Sequence, residues 1–226
     1  MQVGNLIRPT LPRQLVGDPS LVLDLPLYKL DGQAFNSVDA YGHLATNTGA
    51  LWTPNGRTFD GVDDLLTLGR IPELEGASAQ WTIGFWFKLT DNLTNVRCFF
   101  AYDANDLLQT NDCYMYWQSS NLQIQYQMGG GEAEKASPVV SLADLGWHHI
   151  TYGKSATNAL IYFDAALIVD TAFAGGAFTS SYTLKFADNF NVNFGKGTYG
   201  AIKIHNRLLT PWEILGRYIM SKGRYL

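Results

Sequence analysis

The sequence predicts an all-β fold: two antiparallel sheets packed as a sandwich, with a short helix near the carboxyl end. Three observations predict it. Short runs alternate apolar and polar residues, as in Trp81-Thr82-Ile83-Gly84-Phe85-Trp86-Phe87. Turn-forming pairs separate these runs at nearly regular spacing: Asp31-Gly32, Asn55-Gly56, Asp60-Gly61 and Gly175-Gly176. Many short strands with such turns read as a sandwich or barrel. The composition agrees, with 22 Gly, 12 Tyr, 12 Phe and 6 Trp, because aromatic residues favour strands.

The 226 residues are 46% apolar and 16% charged, with a net charge of −4. This is enough apolar material for one large core, and disorder is excluded as a global description. The mild acidic balance argues against nucleic acid as a partner.

The chain opens on an arm. In residues 1–20, Arg8, Pro9, Pro12 and Arg13 interrupt any apolar run, so the segment has neither the core of an export signal nor the length of a membrane span. The prolines favour extended backbone, and these four residues are candidate anchors to a neighbouring subunit. From residue 21 onward a single domain is expected. Its strands include 81–87, 114–117, 122–127, 149–152, 160–163, 183–186 and 201–204.

Gly195-Lys196-Gly197-Thr198-Tyr199-Gly200 matches a dinucleotide-type glycine pattern. A dinucleotide site needs a helix next, and a strand-like run follows, so the segment reads as a hairpin turn. The helix lies at about 211–220. Thr210 caps it, Pro211 takes the first position and Glu213 completes a capping box. Trp212, Leu215 and Ile219 fall on one face, expected to be the packed one.

Gly146-Trp147-His148-His149-Ile150-Thr151-Tyr152, followed by Leu160-Ile161-Tyr162-Phe163-Asp164, resembles the laminin-G-like domains of the concanavalin A-like jelly-roll superfamily. Three further stretches resemble that family in order: Phe59-Asp60-Gly61-Val62-Asp63-Asp64-Leu65, 81–88 and 193–214. The resemblance covers roughly residues 21–218 and implies a jelly-roll sandwich of two antiparallel sheets. Members bind sugars, proteins or calcium, and related folds hydrolyse polysaccharides. The family's hairpin turn usually holds a glycine where this chain has Ala165, which puts a positive-φ turn there in doubt.

Candidate sites follow from chemistry. The glucanases of the superfamily use Glu-x-Asp-x-Glu on one strand. Glu73, Glu75, Glu132, Glu134 and Glu213 do not form that pattern, so no enzyme activity is expected. His148 and His149 are neighbours on a strand and point to opposite faces, one toward the core and one toward solvent. Asp60, Asp63 and Asp64 are the calcium candidates, since calcium takes several oxygen ligands; the alternative is a plain solvated turn. No other cofactor is expected. Cys98 and Cys113 read as buried reduced thiols, with a disulfide as the alternative in an oxidising compartment.

The most informative surface is a hairpin. Tyr114, Tyr116 and Gln118 alternate with apolar residues, and so do Gln123, Gln125 and Gln127. With an even-length loop, these six residues share one face. Such a face can stack sugars, meet a protein, or simply be a solvated sheet.

The leading functional expectation is a non-catalytic virion surface or decoration protein, assembled with other structural subunits through the arm as a homo-oligomer or part of a larger assembly. The alternative is a carbohydrate-binding module or lectin that takes glycans. A polysaccharide hydrolase stands third.

Overall fold

The computed structural model describes residues 18–76, 79–90, 96–103, 113–118, 122–128, 135–142, 144–172, 182–188 and 194–226. The anchor residues Arg8, Pro9, Pro12 and Arg13 lie outside this set, as do Glu132 and Glu134. The first strands are β1 (Leu21–Pro26), β2 (Ala34–Asn36), β3 (Leu44–Thr48), β4 (Leu51–Thr53), β5 (Gly56–Asp60) and β6 (Leu65–Gly69). The middle of the chain forms β7 (Trp81–Leu89), β8 (Val96–Asp103), β9 (Cys113–Gln118), β10 (Gln123–Met128) and β11 (Lys135–Val139). It closes with β12 (Trp147–Lys154), β13 (Asn158–Phe163), β14 (Ala166–Ala172), β15 (Thr183–Phe186), β16 (Lys196–His205) and the helix α1 (Pro211–Lys222).

The strands form two antiparallel sheets. The first runs β14-β13-β12-β7-β16-β5-β4, with β1 also beside β16; the second runs β11-β10-β9-β8-β15-β6-β3-β2. Strand β7 shows how the sequence builds the first sheet. Its residues Ile83, Phe85, Phe87 and Leu89 point inward to the core. Its alternate residues Thr82 and Trp86 are buried too, because α1 covers the outer face. A strand covered on both sides reads as a nearly continuous apolar run.

Aromatic rings fill the space between the sheets. Phe85 of the first sheet meets Phe99, Phe100 and Phe186 of the second at centroid distances of 5.5, 6.4 and 6.3 Å. The Tyr199 hydroxyl lies 2.9 and 3.0 Å from the carbonyls of Cys98 and Phe99, so one buried hydroxyl ties β16 to β8. Cys98 and Cys113 are both buried and free; burial pushes the Cys98 thiol pKa up, helped by the charges of Asp188 and Asp103.

Three details differ from the sequence reading. The glycine-rich segment 195–200 is the start of strand β16 and not a turn. Gly197 is required there, since a Cβ would lie 2.4 Å from the Lys88 carbonyl and 2.7 Å from the Phe87 ring. At the β13–β14 hairpin the positive-φ turn forms without glycine: Asp164 has φ 49° and Ala165 φ 66°. Asp164 secures it, because its carboxylate accepts from the His149 N–H at 2.8 Å and lies 2.8 Å from His148 Nδ1.

The third concerns the helix. Its capping box forms as expected, but Trp212 and Ile219 are exposed. The packed side is Ile214 and Tyr218. Tyr218 stacks on Trp86 at 5.5 Å, and Tyr225, just past the helix, stacks on it at 4.6 Å. Ring-on-ring area against a buried tryptophan outweighs the apolar stripe of Trp212, Leu215 and Ile219.

Candidate functional site

The hairpin β9–β10 has the expected register. Gln118 pairs with Gln123, Tyr116 with Gln125 and Tyr114 with Gln127, so the six candidate residues share one face. Their exposure divides them. Tyr114, Gln125 and Gln127 are buried, and the Tyr114 hydroxyl donates to Gln127 Oε1 at 2.9 Å. The expected broad exposed face is therefore corrected to a ledge of Tyr116, Gln118 and Gln123, each half-buried. Tyr114 packs with Ala101 in a small cluster outside the main core. Its ring backs that of Tyr116 at 5.9 Å and 14°. The ledge is thus an aromatic ring held by a second ring and flanked by carboxamides.

The acidic candidates also come together. Strand β6 starts only at Leu65, so Asp63 and Asp64 are in the turn and are not forced to opposite faces. The carboxylates of Asp60, Asp63 and Asp64 lie within 4.8 Å of one another. Asp64 is buried and accepts from the Asp60 N–H at 2.8 Å. Burial raises its pKa, and the charges of Asp60 and Asp63 add to the rise. Gly49 makes the room: a Cβ there would lie 1.8 Å from Asp64 Oδ1. The donors are hard oxygens, as calcium requires, and they supply part of its usual six to eight ligands.

The described glutamates are engaged elsewhere. Glu75 takes a bidentate contact from Arg70 at 2.6 and 2.9 Å. Glu213 binds Arg207 and the helix cap, which hold its carboxyl down at about 2. Glu73 lies 3.3 Å from His43 Nε2. Each described glutamate thus has a basic partner: Arg70, Arg207 or His43.

Both neighbouring histidines are buried, so neither faces solvent as expected. His148 lies 2.8 Å from Asp164 and 3.0 Å from Asp144. Burial opposes its charge, but the two carboxylates raise its pKa overall. His149 lies under α1 against Trp86 at 5.2 Å, and burial pushes it down to about 4. The outer face of the first sheet beneath α1 was not identified from sequence. The signal was present: Trp86 sits opposite in phase to Ile83, Phe85 and Phe87, which calls for a second cover.

With this geometry in view, the relatives can be compared. A laminin-G family model, described as the concanavalin A-like lectin/glucanases superfamily, matches residues 60–215. The chain belongs to this superfamily. No curated protein matches its sequence. Among solved structures, it is similar to Trypanosoma rangeli sialidase, with a TM-score of 0.71 and 14% identity, covering 93% of this chain and 34% of the sialidase. It is also similar to the receptor binding domain of botulinum neurotoxin C/D mosaic serotype, with a TM-score of 0.66 and 12% identity, covering 89% of this chain and 51% of that one. The chain therefore spans about a third of one relative and half of the other, and the likeness is one of fold. No helix among the described residues is long and apolar enough to cross a membrane.

Proposed function

We propose that this superfamily member is a non-catalytic glycan-binding module. The observation that carries the reading is the ledge on β9–β10, where Tyr116 is backed by Tyr114 and flanked by Gln118 and Gln123. An aromatic ring offers apolar area to the C–H face of a sugar at low entropic cost, and carboxamides both donate to and accept from its hydroxyls. A glycan array with the intact protein tests it. Saturable binding is expected, lost in a Tyr116→Ala variant that remains folded. Silence across the array refutes it. Calcium at Asp60, Asp63 and Asp64 is part of the same proposal, supported by the convergence of the three carboxylates.

A second reading places the module on a larger assembly such as a virion surface. It is supported by the root of the amino-terminal arm, which is fixed to the sandwich. Asp18 accepts from Arg217 at 2.9 Å and from Ser20 at 2.7 and 3.0 Å. An extended segment preceding residue 18 could add to a neighbour's surface. Deleting residues 1–17 should leave the sandwich folded and abolish incorporation into particles; normal incorporation refutes this role.

A further inference from the structure

An open groove lies where the chain enters the sandwich. It runs between residues 18–24, which include most of β1, and the turn 38–41 that follows β2. Its volume is about 540 Å³, inside the roughly 300–1,000 Å³ of ligand-sized pockets. The turn is fastened to the strand: the Val38 N–H donates to the Asp24 carbonyl at 2.9 Å, and the Asp24 N–H donates to Asp39 Oδ2 at 2.7 Å. The groove is therefore preformed. Two large apolar residues stand uncovered in it, Val38 at 56% and Tyr41 at 46% exposure. The Tyr41 ring is stacked with His43 at 5.9 Å and 4°, which restricts its rotation.

Three carboxylates line the groove, and their partners differ. Asp18 is paired with Arg217 and Asp24 with Lys203. Asp39 accepts only from N–H groups among its measured bonds: Asp24 at 2.7 Å, Tyr41 at 2.8 Å and Gly42 at 3.2 Å. Burial opposes its charge, but the hydrogen bonds together lower its pKa, so it is ionised at neutral pH. Among the described residues no cation pairs with it. The groove thus offers an exposed aromatic ring, an exposed aliphatic side chain and one anion without a counter-charge.

Residues 1–17 lie outside the described residues, and they lead directly into Asp18 at the edge of this groove. Their chemistry is complementary to it. They carry Arg8 and Arg13 and no Asp or Glu, and Leu11-Pro12 stands just before Arg13. Proline has a fixed φ and suits an aromatic-lined groove, because it loses little freedom on docking. Arg13 is five residues from Asp18, a reach of up to about 18 Å. Gly17 supplies the backbone freedom to turn the segment back. Attachment decides whose segment fills the groove. A short tether gives an effective concentration on the order of millimolar, which a separate copy matches only at that protein concentration.

We propose that this groove holds the chain's own amino-terminal segment, with Pro12 on the Tyr41 ring, Leu11 against Val38 and the Arg13 guanidinium on the Asp39 carboxylate. The proposal rests on neither the glycan reading nor the assembly reading.

NMR on the isotope-labelled full chain, held well below millimolar concentration, tests it. Nuclear Overhauser contacts are expected between Pro12 and the Tyr41 ring and between Leu11 and Val38. A mixture of labelled and unlabelled chains is expected to show no such contacts between copies. Arg13→Glu changes only the segment, so the sandwich stays intact. It replaces attraction to Asp39 by repulsion, and the docked population is expected to fall at least about fivefold. The proposal is overturned if the segment makes no contact with the groove, or if it contacts Trp212 or Met220 on α1 instead. It is equally overturned if the contacts arise only between copies, or if Arg13→Glu leaves the docked population unchanged.

Discussion

Mild acid should loosen the helix side of the sandwich before the carboxylates titrate. His149 and His205 are both buried, and burial depresses each from 6.5 to about 4. Between those values the unfolded chain binds a proton at each ring and the folded chain does not. The stability that these two neutral rings contribute is therefore complete above about 6.5 and falls as pH drops toward 4. The gap of about 2.5 pH units at about 1.4 kcal/mol each gives about 3–4 kcal/mol per ring, or about 7 for the two. That is a large share of the roughly 5–15 kcal/mol of a typical domain. The surroundings are consistent: Asp18 partly offsets the loss at His205 while Arg217, Arg207 and Lys203 deepen it, and Asp164 partly offsets it at His149. His148 does not add to this slope, because its raised pKa leaves it protonated in both states over the same range; its own contribution is lost only above about 6.5. Urea unfolding at pH 5 to 6 should give a stability slope of about 2.7 kcal/mol per pH unit from these two rings. In a His149→Gln/His205→Gln double variant that slope should largely vanish. An unchanged slope in a folded double variant would refute the reasoning.

Four shorter expectations follow. Ala165→Gly relieves a left-handed residue costing about 1–2 kcal/mol, offset by about 0.4–1 in the unfolded chain; melting should rise by a few degrees, and a fall would contradict the strain seen at φ 66°. Arg57 is buried and donates to the carbonyls of Ala50, Leu30 and Gly32 at 3.2, 2.7 and 2.8 Å. Arg57→Met strands those acceptors and should cost about 3 kcal/mol, read as about 6–12 °C in melting temperature; a shift under about 3 °C would be inconsistent. Cys98 and Cys113 should resist a thiol reagent at pH 8 until denaturant is added, and rapid labelling of the native chain would contradict their burial. Calcium should raise the melting temperature, and Asp63→Asn should abolish the effect; a wild-type melt identical in calcium and chelator removes the metal from the turn at Asp60.

Much of the fold was legible because strands and caps are local. The alternation in 81–87, 114–117 and 201–204 needs only neighbouring residues to read, and the Thr210–Glu213 box is complete within four positions. The shared face of Tyr114, Tyr116 and the glutamines was legible too, since period-two geometry and an even loop fix it. Its exposure was not, because burial of Tyr114 and Gln127 depends on what lies over that face. Asp63 and Asp64 converge because the strand starts only at Leu65, after both of them. The helix was read on the wrong side for a related reason: Trp212, Leu215 and Ile219 form an apolar stripe, but nothing local reveals that Trp86 waits on a sheet for Tyr218 and Tyr225.

The sequence alone determined the class of fold, several of its strands, the capped helix and the residues that share the β9–β10 face. These follow from periodicity and from hydrogen bonds between near neighbours. Only the tertiary structure decided which tyrosine reaches the surface, which face of α1 packs, and that His205 lies beneath the helix near Arg217. Those outcomes depend on contacts between residues far apart in the chain, such as Asp18 with Arg217 and Ser20 with His205. Local propensity carries no information about such pairs, and burial between two layers is set only when both layers are in place.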